Sequence, residues 1–217
     1  MSGILRLSTK YYFQNLRQKS IDILKRKIPT SFSDMDRIFG TCVSLKGRHY
    51  SEMTYPIRMR IVNLARETNV PELLPFAFYL CARLNPDLIL KGTSTDVLSW
   101  VDKAICFAGR DKLLDAQRTL TYSFFVDFKG SPSCVSYPTM CSSVLPVKTR
   151  RTWERRVLTS VLALEPCTPT SFAFQACAPC VKHAMLQHRD GRKQLWDMLP
   201  GIFQLGSWED IRNTQNG

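Results

Sequence analysis

The sequence predicts an all-α fold, an irregular helical domain with a loop-rich, cysteine-bearing C-terminal segment. Apolar residues recur three and four positions apart along much of the 217-residue chain, as on the buried face of a helix. Prolines and glycines interrupt these runs where helices commonly begin or end. Strand signals are few. We therefore expect the chain to be almost entirely helical.

The first half of the chain is predicted to consist of seven helices. They cover residues 4–11, 13–28, 34–39, 56–65, 71–84, 94–107 and 111–120. Pro56 suits a first helical position, where its missing amide has no intrahelical partner. Residues 74–84 are apolar nearly all round, which indicates a buried helix with Phe78 in the core. Ser94 or Thr95 is the expected cap of its helix, and Gly109 marks a break.

The second half has a more irregular composition. Residues 122–128 are aromatic and read as a helix end or a short strand. Residues 130–149 are rich in serine and proline and form a predicted loop, and a helix follows over residues 153–164. A last amphipathic helix runs from about residue 177 to 198 and ends at Pro200 and Gly201. The apolar tail after it, with Phe203 and Trp208, should fold back onto the body.

Composition and charge narrow the class of protein. No window approaches the ~18 apolar residues of a membrane span, and residues 1–10 do not resemble a secretory signal. We expect an intracellular protein, cytoplasmic or nuclear, with no membrane partner and with its eight cysteines reduced. The net charge of +12 and basic clusters at residues 25–27 and 148–156 leave a nucleic-acid-binding or transcription-regulatory module as the alternative function.

Four cysteines form a candidate metal site. Cys177 and Cys180 are a CxxC pair at a predicted helix start, and such a turn commonly presents two thiolates to zinc. Cys134 and Cys141, in the serine- and proline-rich loop, supply a second pair. The predicted cofactor is a structural zinc ion that ties this loop to the C-terminal helix.

Two other interpretations of the cysteines remain open. Cys167 or His183 are alternative ligands, because the first pair is more widely spaced than usual. The cysteines are otherwise buried thiols, with an adventitious disulfide at most. A CxxC redox role is less favoured because no strand precedes the motif.

Nothing in the sequence indicates an enzyme. The phosphate-loop, HExxH and GxSxG patterns are missing, so no catalytic residue is assigned. His188 shares a helix face with apolar residues and is expected to be packed and hydrogen-bonded rather than to bind metal. His49 falls in a predicted loop and is expected to be solvated. The predicted function is protein–protein interaction without catalysis.

Several segments together resemble a large family of fungal BTB/POZ domain-containing proteins, from about residue 3 to the C-terminus. These are residues 4–11 (ILRLSTKY), 63–67 (NLARE), 74–79 (LPFAFY), the CxxC pair, 195–200 (LWDMLP) and 208–210 (WED). The resemblance implies that residues 1–29 are the C-terminal edge helices of a BTB/POZ domain whose core is missing from this chain. Residues 30–129 would be a central helical region and residues 130–217 a cysteine-bearing helical region.

The resemblance also implies a function and an exposed surface. The chain would be a BTB-associated adaptor or scaffold region with a protein partner. Leu5, Leu7, Tyr11 and Phe13 would pack on the missing domain and would here be exposed. We therefore expect self-association through the N-terminal helices, or a partner that covers them.

Overall fold

The computed structural model describes residues 2–44, 55–125, 127–136, 141, 155, 159–167 and 176–216. These residues contain nine α-helices and no strand, which confirms the all-α prediction. The helices are α1 (Ser2–Lys10), α2 (Gln14–Lys25), α3 (Phe32–Ser44), α4 (Tyr55–Glu67), α5 (Leu74–Ala82), α6 (Pro86–Lys91), α7 (Trp100–Ala116), α8 (Ala178–Ile202) and α9 (Trp208–Asn216). Short 3-10 helices lie at Pro71–Leu73 and Ser123–Phe125, and a π-helical turn lies at Gln117–Thr121.

The chain divides into two compact units. Unit 1 comprises Met1–Arg110 and Met198–Gly217, and unit 2 comprises Asp111–Asp197. No helix in the described ranges is both long and apolar enough to cross a membrane. The three-part division at residues 29 and 129 stays a prediction.

The core of unit 1 is built around α5. All nine residues of this helix are buried, as its continuous apolar sequence predicts. Phe78 is 0% exposed, and its ring stacks on that of Phe203 with 5.4 Å between centroids. The guanidinium of Arg66 lies over the Phe78 ring, 5.6 Å from its centroid. Phe203 belongs to the apolar tail, which therefore folds onto the core of this unit.

Helices α1 and α2 form a hairpin, and it corrects one prediction. Leu5 is 0% exposed rather than part of an exposed surface, because it lies on the inner face of α1 with Ser8. Leu7, Tyr11 and Phe13 are exposed as predicted. The apolar spacing of residues 4–11 predicted a helix, but it did not indicate which face of that helix would be buried.

Helix α7 also differs from prediction at both of its expected boundaries. It begins at Trp100, capped by Ser99, whose Oγ accepts the Asp102 N–H at 3.1 Å. The predicted cap is wrong because Thr93 Oγ1 instead accepts the Asp96 N–H in a preceding turn. The helix then continues through Gly109, where a Cβ would lie 2.3 Å from the Phe203 ring. Gly109 is thus a packing glycine rather than a break.

The ends of other helices were also predicted imperfectly. Helix α3 continues through Gly40 to Ser44, into the predicted loop, and residues 45–54 of that loop, with His49, lie outside the described residues. Helix α8 contains Pro200 and ends at Ile202. Helix α9 was not predicted, although Ser207 and Asp210 form a capping box at its start. Hydrogen bonds from the Ser207 hydroxyl and backbone lower the pKa of Asp210.

A buried segment without helical structure runs through unit 2 at residues 161–164, where the sequence predicted the end of a helix. Polar side chains form hydrogen bonds with its backbone N–H and carbonyl groups. Gln117 Oε1 accepts the Leu162 N–H at 2.8 Å, and Arg192 Nε donates to the Leu164 carbonyl at 2.9 Å. These bonds replace helical ones, which explains how the segment can be buried without helical structure. Most of the remaining predicted helix, residues 153–158, lies outside the described residues.

Gly191 allows helix α8 to lie close to the backbone of Leu120 within unit 2. A Cβ there would lie 2.3 Å from the Leu120 carbonyl oxygen, which is backbone and cannot rotate away. We expect Gly191→Ala to destabilise the protein by about 1–3 kcal/mol, as overpacking does. Chemical denaturation monitored by circular dichroism measures the change.

The matched control is Gly201→Ala in the same helix, where the nearest atom to a new Cβ is 3.8 Å away. This variant should be neutral or slightly more stable, because alanine favours helix over glycine. Equal destabilisation of both variants would contradict the packing role of Gly191.

Candidate metal centre

The four predicted cysteines converge in unit 2. The Sγ atoms of Cys134, Cys141, Cys177 and Cys180 all lie within 4.8 Å of one another. The Cys134 and Cys177 sulfurs are 3.7 Å apart, which is a non-bonded distance and not a disulfide. The prediction that these four side chains share one site is therefore confirmed at the level of geometry.

The start of α8 positions one pair of thiols. Cys177 precedes the first helical residue, and its carbonyl accepts the Val181 N–H at 3.0 Å. Cys180 follows within the first turn, so the CxxC spacing brings both sulfurs to the same helix end. The Cys177 N–H in turn contacts the Cys141 sulfur at 3.5 Å.

The loop after residue 127 positions Cys134 and also contributes backbone donors. Gly130 has a φ of 77°, in the left-handed region that glycine adopts without strain. The chain turns there, and the Ser131 N–H points at the Cys180 sulfur at 3.3 Å. The sequence did not indicate that Ser131 is part of the site. The only signal for it was the glycine one residue before, which is common to many loops.

The environment of Cys177 favours the thiolate, the form that binds metals. Backbone hydrogen bonds from Cys180 and then Val135 lower the pKa of the Cys177 thiol to about 6. The first donor belongs to the helix N-terminus, where free N–H groups and the helix dipole both stabilise negative charge.

The other thiols of the cluster are more difficult to ionise. A backbone hydrogen bond at Ser136 lowers the pKa of Cys134, but burial and the neighbouring cysteine thiols outweigh it and raise the pKa to about 12. Burial raises the pKa of Cys180. Several thiolates cannot stay close together without a cation, because like charges at this distance repel. The arrangement is thus suited to a positively charged ligand.

The cluster lies at the edge of the hydrophobic core of unit 2. Cys141 and Cys180 are 2% and 0% exposed and pack with aromatic residues, while Cys134 and Cys177 are partly exposed. The aromatic part of this core comprises Tyr122, Phe124 and Phe128. Two of the four cysteines are therefore buried in the core, and two are partly exposed while still packed against it.

The alternative ligands lie elsewhere. The Cys167 sulfur contacts the Met185 sulfur at 3.8 Å, and burial raises the pKa of its thiol. The His183 ring packs 6.1 Å from that of Phe128. Neither residue belongs to the group of metal-binding atoms found within the described part of the chain.

His188 is buried and hydrogen-bonded, as predicted. Its Nδ1 is 2.9 Å from the Thr121 carbonyl oxygen, and its Nε2 is 3.1 Å from the Glu165 carbonyl oxygen. The same Nε2 lies 3.1 Å from the Cys167 backbone nitrogen. This histidine contacts backbone groups of Thr121 and of the chain just after the buried segment, so its role in the described structure is packing and hydrogen bonding.

One sulfur–sulfur distance in the cluster matches that of a tetrahedral zinc–thiolate site. Zn–S bonds of about 2.3 Å place the sulfurs of such a site about 3.8 Å apart, close to the 3.7 Å between Cys134 and Cys177. Thiolate sulfur suits zinc, and four protein ligands leave no open position, as in structural sites. The four sulfurs therefore lie close enough together to bind one metal ion.

Comparison of the chain with protein-family models, curated proteins and solved structures finds no match. The resemblance to BTB/POZ proteins therefore stays a prediction.

Proposed function

We propose that Cys134, Cys141, Cys177 and Cys180 bind one structural zinc ion. The observation that carries this proposal is the convergence of four sulfur atoms within 4.8 Å of one another. Zinc would neutralise the thiolates and fasten the loop that bears Cys134 to the start of α8. The donor set is closed, so the metal has a structural role and activates no water or substrate.

The protein as a whole is proposed to be a non-enzymatic protein-interaction module, in the manner of an adaptor or scaffold region. The support comes from exposed apolar side chains on the α1–α2 hairpin, where Tyr12 is 82% exposed and Phe13 59%. Patches of this kind mark interaction sites on protein surfaces. Zinc would then stabilise unit 2, while the hairpin of unit 1 contacts the partner.

The zinc site is tested by metal analysis of protein purified without chelators. We expect about one equivalent of zinc per chain, and substitution by cobalt should produce the intense visible absorption of a tetrahedral cobalt–thiolate centre. Cys180→Ser should reduce the zinc content to less than about a tenth of an equivalent, because it removes a buried ligand.

Cys167→Ser is the matched control for this experiment, since it removes a cysteine of the same unit that is not in the cluster. It should retain the full equivalent of zinc. Wild-type protein with less than a tenth of an equivalent would contradict the proposal, and the cysteines would then be ordinary core residues.

A further inference from the structure

The tip of the α1–α2 hairpin presents aromatic residues in an unusual backbone conformation. Tyr12 has a φ of 59°, in the left-handed region that disfavours large side chains. The Phe13 N–H bonds to the Ser8 carbonyl at 2.9 Å, which closes the end of α1 in a motif that usually has glycine at the position of Tyr12. An aromatic ring is thus held at a site where glycine would fold more easily. Such outliers concentrate at functional sites.

Apolar side chains continue from this tip along both helices. We define the hairpin surface as the six side chains of Ile4, Leu7, Tyr11, Tyr12, Phe13 and Leu16, which are between 44% and 82% exposed. Ile4, Leu7 and Tyr11 are three and four positions apart and share one face of α1. The opposite side of the hairpin is fixed, because Leu5 and Ile21 are fully buried. The surface is therefore presented on an ordered support.

The hairpin is also strongly basic. Residues 2–27 contain seven Lys and Arg and a single acid, Asp22. Three of the basic side chains are held by the protein. Arg6 pairs with Glu67 at 2.6 Å, Lys25 pairs with Glu72, and Arg17 donates to the Thr68 carbonyl at 3.1 Å. The remaining four form no ion pair with any described carboxylate, and they are Lys10, Lys19, Arg26 and Lys27. The hairpin that bears the exposed apolar residues is thus positively charged.

We propose that the hairpin surface docks an acidic, amphipathic segment of another protein. The segment's apolar side chains would cover Tyr12 and its neighbours, and its carboxylates would pair with Lys10 and Lys19. This inference rests on the proposed protein-binding function and adds the chemistry of the partner. Complementary charge of this kind accelerates association and excludes partners of the same sign.

The charge pattern favours this occupant over two others. A second copy of the chain would bring two basic hairpins together, which like-charge repulsion opposes. A membrane surface would require a broad, uninterrupted apolar face. On α2, however, Lys19 lies between Leu16 and Ile23 at helical spacing, so apolar and basic side chains alternate. An acidic amphipathic segment matches that alternation.

The test uses synthetic amphipathic peptides of about 20 residues, with leucine at helical spacing and either Glu or Lys at the remaining positions. Binding to the full chain is followed by fluorescence anisotropy at several salt concentrations. The Glu peptide should bind at least about tenfold more tightly than the Lys peptide, with an affinity that falls as salt rises.

The decisive variant is Tyr12→Gly. It removes the ring and places at this positive φ a glycine, which adopts it without strain. The variant should therefore be at least as stable as the wild type. Its binding of the Glu peptide should be at least about tenfold weaker, because the ring is lost. The matched control is Gln204→Gly, another exposed residue with positive φ, at 57°. It should gain stability in the same way and leave peptide binding unchanged. The charge variant K10E/K19E should also weaken binding tenfold, whereas Lys91→Glu on α6 should not.

Each contrary result identifies what is wrong. If the Lys peptide binds as tightly as the Glu peptide, the proposed protein-binding function is retained, but the proposal of an acidic partner is wrong. If neither peptide binds, both inferences are wrong. Tyr12-dependent binding to phosphatidylcholine–phosphatidylserine vesicles without peptide binding would assign the surface to membranes. A Tyr12-dependent dimer in light scattering would assign it to a second copy. Zinc content, measured on the same samples, tests the metal proposal separately.

Discussion

Because zinc is proposed to fasten the loop that bears Cys134, treatment with a strong chelator should destabilise unit 2 and make this loop more accessible to protease. A ligand that binds only the folded state stabilises it by about 4 kcal/mol when its free concentration is a thousand times its Kd. The loss should be of this order, and smaller than the roughly 10–16 kcal/mol of zinc-finger peptides, because unit 2 has its own aromatic core. Differential scanning calorimetry with and without chelator measures it.

Limited proteolysis locates the same effect along the chain. Trypsin has a candidate site at Lys129, in the loop that bears Cys134. Cleavage there should accelerate on chelation in the wild type and in Cys167→Ser. Cys180→Ser should be cleaved rapidly with or without chelator. If the wild-type protein has the same melting temperature and the same cleavage pattern with and without chelator, no metal stabilises this unit.

Phe78→Ala should destabilise the protein by about 3–5 kcal/mol, the range for truncating a buried aromatic residue. Phe78 is 0% exposed, and its loss would leave a cavity against Phe203 and remove the ring beneath Arg66. At about 2–4 °C per kcal/mol, the melting temperature should fall by roughly 10 °C.

Phe13→Ala is the matched control, because it is the same substitution at a side chain that is 59% exposed. Its stability should change by no more than about 0.5 kcal/mol. If Phe78→Ala and Phe13→Ala have the same melting temperature, α5 is not the centre of the unit 1 core.

The sequence predicted the parts of the fold that depend on local pattern. The continuous apolar run of α5 indicated its burial, and the CxxC spacing indicated that Cys177 and Cys180 meet at a helix start. The approach of Cys134 and Cys141 to this pair was also predicted, and the four sulfurs lie close enough to bind a metal ion. That approach is a distant contact, and it was inferred from the shared thiol chemistry of the two pairs rather than from local pattern.

The features that the sequence did not predict depend on residues far apart in the chain. Gly109 looked like a helix break, but its role follows from the Phe203 ring that packs on it. Residues 161–164 had a helical apolar pattern, but the side chains of Gln117 and Arg192 form hydrogen bonds with their backbone in place of helical ones. The burial of Leu5 followed from hairpin packing, which a single helix cannot indicate.

The long separation of the two cysteine pairs has a consequence for the order of folding. Cys141 and Cys177 are 36 positions apart, and closing a ring of that size costs the unfolded chain roughly 4 kcal/mol of conformational entropy. Cys177 and Cys180 are neighbours and can meet an ion at once, whereas Cys134 and Cys141 join them only after the intervening chain has closed. Complete metal capture would therefore come late in folding. During unfolding, the opening of this ring would be among the first events.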